Sequence, residues 1–149
     1  MSTRAIRISL AVLAVLLAGF ITLVALTEKS PRVEELREHL FLDVTESDIE
    51  YYHDSHGGFL GDGEVVAVFR ASEENAFTIK KAWSNTFCGS RAVLDILYGK
   101  GGVFENHGIF PPKNGFFFYK NTGSGFSQNF IFAVFDPESS KVYYCRFDT

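Results

Sequence analysis

The sequence predicts an α+β protein: a transmembrane helix at residues 8–26, then a mostly antiparallel five-stranded sheet, in the order α-ββ-αα-βββ, with helices on one face. Three observations predict it. The run from Ile8 to Leu26 carries no charged residue. Five short segments are rich in aromatic and β-branched residues, which suit a pleated surface. Two stretches between them start at a serine and repeat apolar residues at helical spacing.

The apolar run, at about 1.5 Å per residue, reaches close to the roughly 30 Å of a bilayer's hydrocarbon core. In lipid its backbone groups satisfy one another only as a helix. Arg4 and Arg7 precede it and Glu28 follows, so the expected orientation has residues 1–7 in the cytoplasm and the remainder outside. A cleaved secretory signal shares this charge and length pattern. Its small-x-small site is poor, because Leu23-Val24-Ala25 offers only Ala25. Leu17-Ala18-Gly19-Phe20 places Phe20 where a lipoprotein would need cysteine. Either route exports the domain.

Ser30-Pro31 opens a helix, with Val33, Leu36 and Leu40 on one face, and residues 27–47 read as a linker or solvated stalk. The folded domain is expected at 48–149. Ile49 to His53 reads as a short strand. Glu64 to Ala71 reads as a strong one, apolar on both faces and therefore central. Ser72 caps a helix with Glu73 and Glu74 in its first turn and Lys80 and Lys81 near its end, as the helix dipole favours. A further helix runs from Ser90 to Tyr98 and stops at Gly99. Gly101 to Asn114 reads as irregular. Phe116 to Lys120, Asn129 to Asp136 and Val142 to Phe147 are the closing strands, the last two joined by a turn with Pro137 at its second position. Separate runs of hairpins and helices indicate an antiparallel sheet.

Beyond Leu26 the chain has 12 basic and 18 acidic residues, and no basic patch with interleaved aromatics. Nucleic acid is therefore not an expected partner. The expected partners are the bilayer, through residues 8–26, and a protein or small ligand of the exported domain. No cofactor is implied.

Three features are candidates for chemistry. The loop from His53 to Glu64 gathers Asp54, His56, Asp62 and Glu64, and such side chains suit a ligand or a divalent cation. It has neither calcium-loop nor zinc-protease spacing, and glycine and aspartate are also ordinary turn residues. Cys88 precedes a predicted helix, whose N-terminus favours the thiolate. With His107 as base and Asn121 or Asn129 as orienter it would make a thiol hydrolase. Alternatively Cys88 and Cys145 pair as a disulfide, as two cysteines in an exported domain favour, or stay as inert core thiols. Closing that loop would stabilise by roughly 4 kcal/mol in the chain-entropy account. Last, Phe116-Phe117-Phe118-Tyr119 alternates across a strand, forming core on both faces or a partner platform on an exposed one. Phosphate-binding glycine loops, nucleophile elbows and His-Glu-x-x-His are absent.

The strings Asp54-Ser55-His56-Gly57-Gly58-Phe59-Leu60-Gly61-Asp62-Gly63-Glu64, Leu97-Tyr98-Gly99, Asn114-Gly115-Phe116-Phe117-Phe118, Asn129-Phe130 and the tail Val142 to Thr149 resemble a group of small, uncharacterised membrane-anchored proteins of Gram-positive anaerobic bacteria. The resemblance implies export and carries no activity. The residues together favour a membrane-anchored binding or interaction module over an enzyme, with the Asp54 to Glu64 loop as its working surface.

Overall fold

Strands form where apolar side chains alternate, and they close into a sheet that buries residues on both of its faces. The computed structural model describes residues 30–57, 62–123 and 129–149. The stretch 1–29, and with it the transmembrane assignment, lies outside the described residues. Among the described residues no helix is long and apolar enough to cross a membrane.

The elements are α1 (Pro31–Leu40), a single 3-10 turn (Glu46–Asp48), β1 (Ile49–Asp54), β2 (Gly63–Arg70), α2 (Glu73–Ala82), α3 (Arg91–Tyr98), α4 (Val103–Asn106), β3 (Phe116–Asn121), β4 (Phe130–Asp136) and β5 (Lys141–Asp148). The five strands form one sheet in the order β1-β2-β5-β4-β3, and every neighbouring pair is antiparallel. The α+β class and the five strands thus match the expectation. Two of the three serine caps also form, Ser72 Oγ accepting the Asn75 N–H and Ser90 Oγ the Val93 N–H, whereas Ser30 makes no side-chain cap hydrogen bond.

Two expectations are corrected. Helices cover both faces of the sheet, not one. Val65, Ala67, Phe69, Ala133, Phe135, Val142 and Tyr144 pack with Leu36, Leu40 and Ile79 of α1 and α2. Val66, Phe117, Phe130, Phe132, Val134 and Cys145 pack with Val93, Leu97, Val103 and Phe104 of α3 and α4. The reason is the period of two: β2 and β4 are apolar at consecutive positions, and each face needs its own cover. The second correction is α1, which is no stalk. Leu36 is fully buried, and Leu42 and Val44 beyond the helix join the same core.

The aromatic strand β3 splits as alternation requires, Phe116 and Phe118 to the α1–α2 face and Phe117 and Tyr119 to the other. It lies at an edge, where Ser84 exchanges two backbone hydrogen bonds with Phe117 and so partly closes the row of free groups. The segment expected to be irregular contains the one-turn helix α4. β2 and β5 pair from Arg70 with Lys141 to Gly63 with Asp148, which sets the end of the chain beside the end of the first hairpin.

Candidate functional site

Alternation at that end of the sheet sends polar side chains to opposite faces, and two separate clusters result. On the α1 face, the β1–β2 hairpin supplies Asp54 and His56, β5 supplies Tyr144, Arg146 and Asp148, and α1 supplies Glu35 and His39 one turn apart. His56 Nδ1 lies 2.8 Å from Asp54 Oδ1, and Nε2 lies 2.9 Å from Asp148 Oδ2. Arg146 Nη2 is 3.3 Å from the same Nδ1. Arg146 Nη1 sits 3.0 Å from Glu35 Oε1, which Tyr144 Oη also donates to at 3.2 Å. Tyr52 Oη donates to Glu35 Oε2 at 3.0 Å. While donating to Glu35, Tyr144 can still accept from His39 Nδ1, 2.7 Å away.

The cluster is largely withdrawn from water: the Glu35 side chain is 13% exposed and that of Arg146 24%. Burial, with Glu35 beside them, pushes the Tyr52 and Tyr144 hydroxyls above their ordinary range. Burial lowers His39, against the opposing pull of Glu35. Burial also pushes the Asp54 carboxyl up, but the backbone and ring of His56 outweigh it and hold it below its ordinary value. Arg146 Nε lies 3.1 Å from Asp148 Oδ2, close enough for attraction. Its N–H is not aimed at that oxygen, so it is a buried donor without a hydrogen bond.

On the opposite face, His107 Nδ1 is 2.8 Å from Tyr51 Oη and Nε2 is 2.8 Å from Glu64 Oε1. The His53 ring stands 4.6 Å from that of His107. A carboxylate, an imidazole and a phenol in line can pass a proton, with Glu64 holding the ring in place. The cavities described below are lined by other residues.

The expected loop site is therefore divided. Asp54 and His56 meet, Glu64 is carried by the pleat to the other face, and Asp62 is exposed and joins neither cluster. Among the described residues no three His, Cys, Asp or Glu side chains converge to hold a metal ion. The residues named for a thiol hydrolase each have other partners. Both ring nitrogens of His107 are taken by Tyr51 and Glu64, while the exposed Cys88 donates to Thr86 O. Asn121 and Asn129 accept from the N–H groups of Gly123 and Thr149. Cys88 and Cys145 are both free thiols, one exposed and one wholly buried, so the disulfide is not formed. Burial pushes the Cys145 thiol far up, which suits inert core.

What sequence reasoning missed is a concave surface beside α3. Phe87, Leu94, Tyr98, Lys113 and Phe117 line a cavity of about 250 Å3. Tyr98 and Lys113 also line a second, of about 320 Å3, with Leu97, Phe104, Ile109 and Phe110 among its walls. The floor is an aromatic set around the buried Phe132, whose ring lies 5.7 Å from Phe87, 6.0 Å from Tyr98 and 6.1 Å from Phe104. Lys100 and Lys113 stand exposed at the rim and make no ion pair among the described residues. Glu105, also at the rim, accepts the Gly101 N–H at 2.5 Å. Phe110 is 77% exposed there. The exposed Phe110 beside Pro111-Pro112 was the available signal: a large apolar side chain in a segment without periodicity. No family model matches the chain, and no curated protein or solved structure matches it.

Proposed function

We propose that the chain is a binding module tethered to the outer face of the cell membrane by residues 8–26, and that it takes its ligand in the groove beside α3. One observation carries the ligand site: two adjoining cavities with aromatic and aliphatic walls, and lysines at the rim that make no ion pair among the described residues. Small-molecule sites have this character, mostly apolar with a few polar groups that fix orientation, and volumes from about 300 Å3 upward. The loop from Asp54 to Glu64 makes the weaker case, because its histidine and two of its carboxylates are satisfied within the protein. The tether rests on the uncharged run of 8–26 with arginines ahead of it.

The test has two parts. In intact cells, a membrane-impermeant maleimide should label the exposed Cys88. Labelling only after permeabilisation would place the domain on the wrong side. A photo-reactive benzoylphenylalanine at Leu94, in the groove wall, should give the recovered chain a discrete mass increment after irradiation in cells. The same residue at Lys81, on α2, should not. No increment at Leu94, or the same one at both positions, would remove the groove from consideration.

A further inference from the structure

We infer that the groove selects an anionic amphiphile: a small molecule with a single alkyl or acyl chain ending in a carboxylate or phosphate. This rests on the groove being the ligand site, and adds the class of ligand.

The two cavities share Tyr98 and Lys113, so a chain can lie across both. The first is walled by Phe87, Leu94 and Phe117, and among the described residues only Tyr98 and Lys113 bring polar ends to its lining. Tyr98, between them, has its hydroxyl turned to Pro112 O at 3.4 Å, and its ring faces Phe104 and Phe132. A peptide in this position would bring N–H and carbonyl groups, and burying them without partners is costly. A hydrocarbon chain brings none. Each methylene buried should tighten binding roughly fourfold until the groove is filled.

The sign of the polar end follows from the rim. Lys100 and Lys113 are exposed ammonium groups without ion pairs among the described residues, whereas the carboxylate beside them, Glu105, is engaged by the Gly101 N–H. The rest of the domain is acidic, so two lysines against the one carboxylate of Glu105 leave a net positive rim at the mouth of an apolar groove. Exposed charge pairs are weak, about threefold in affinity each and about tenfold together. They select the ligand's head, and the aromatic walls supply most of the affinity.

The experiment uses the full chain in phosphatidylcholine nanodiscs, with a diazirine-bearing decanoate or decanol as probe and adducts mapped by mass spectrometry. Adducts within 8–26 report that each probe has reached the protein. The expected result is labelling of the peptides carrying Phe87, Leu94, Tyr98 and Phe117, about tenfold more with decanoate than with decanol. That preference should vanish in the Lys100→Gln/Lys113→Gln variant and survive in Lys81→Gln. Competition by octanoate or by octyl phosphate tells a carboxylate head from a phosphate one, and either supports the inference. Equal groove labelling by decanoate and decanol would overturn the anion selection while leaving the groove as a site. Labelling confined to 8–26 with both probes would overturn the groove reading and this inference together.

Discussion

Glu35 is the position where one atom-scale change should be felt across three elements. Its carboxylate accepts from Tyr52 Oη and Tyr144 Oη and forms an ion pair with Arg146, so it joins α1 to β1 and β5. Glu35→Gln keeps the shape and removes the charge. Hydrogen bonds to a charged group are worth about 1.5–3 kcal/mol net, against about 0.5–1.5 for neutral ones, so each of the two tyrosine contacts loses about 1 kcal/mol, and loss of the partly buried ion pair with Arg146 adds about as much. The amide also turns one N–H pair toward donors, and Arg146 keeps only its contacts with His56 Nδ1 and with Asp148, toward which its Nε–H is not aimed. The expected loss is about 3 kcal/mol, or about 10 °C in Tm for a chain of this size. Urea unfolding of the variant checks the first figure, and a cycle with Tyr52→Phe should show coupling of about 1 kcal/mol. A loss below about 0.5 kcal/mol would refute the reasoning, because exposed pairs behave in that way. Arg32–Glu46, which is such a pair, supplies the control: Arg32→Gln should leave the midpoint unmoved.

Three other outcomes follow from the same structure. Native protein without reductant should take one thiol label, at Cys88, with Cys145 reacting only in urea; two labels appearing only after reduction would mean a disulfide instead. Burial lowers the folded pKa of His39, so the unfolded chain binds this proton first as pH falls. The stability it carries is full above its ordinary value of 6.5 and declines below it, and Asp54, also lowered, adds a loss at more acid pH. Wild type should therefore lose more stability than His39→Gln between pH 8 and 5, and a parallel pair of curves would contradict this. Gly115→Ala should destabilise by about 1–3 kcal/mol, since a Cβ there would press on the Phe135 carbonyl of β4. Unchanged urea midpoints would show that the strand end gives way freely.

The elements were legible because their signals are local. Ser72 and Ser90 cap, Gly99 stops, and alternation marks β2, β4 and β5 within a residue or so of their bounds. The pairing of β2 with β5 was not legible, since nothing near residue 65 says that residue 146 will lie opposite. That pairing places Arg146 and Asp148 beside Asp54 and His56, so the polar cluster was out of reach even though Asp54 and His56 were named. Glu64 was grouped with them by closeness in sequence, and the pleat sent it to the other face. The helix α1 was misread for a different reason: its many charges describe its outer face, while Leu36 and Leu40, four residues apart, already marked an inner one.

The covered second face was, by contrast, open to deduction. A strand such as Val65 to Phe69, apolar at successive positions, cannot sit in a sheet with one face in water, so helices had to be found for both sides. The α1–α2 face receives two ten-residue helices. The other receives α3, with eight residues, and α4, with four, over a layer of phenylalanine and tyrosine rings that is at least as bulky. Two short helices cannot roof that layer, and residues 107–115 run on without regular structure. The shortfall leaves Phe110 exposed and opens the hollow between Phe87, Tyr98 and Lys113. A soluble surface would be expected to place polar residues over such a gap. Here the gap keeps its apolar walls, with Lys100, Lys113 and Glu105 at its margin, the arrangement that the proposed hydrocarbon-bodied ligand would need.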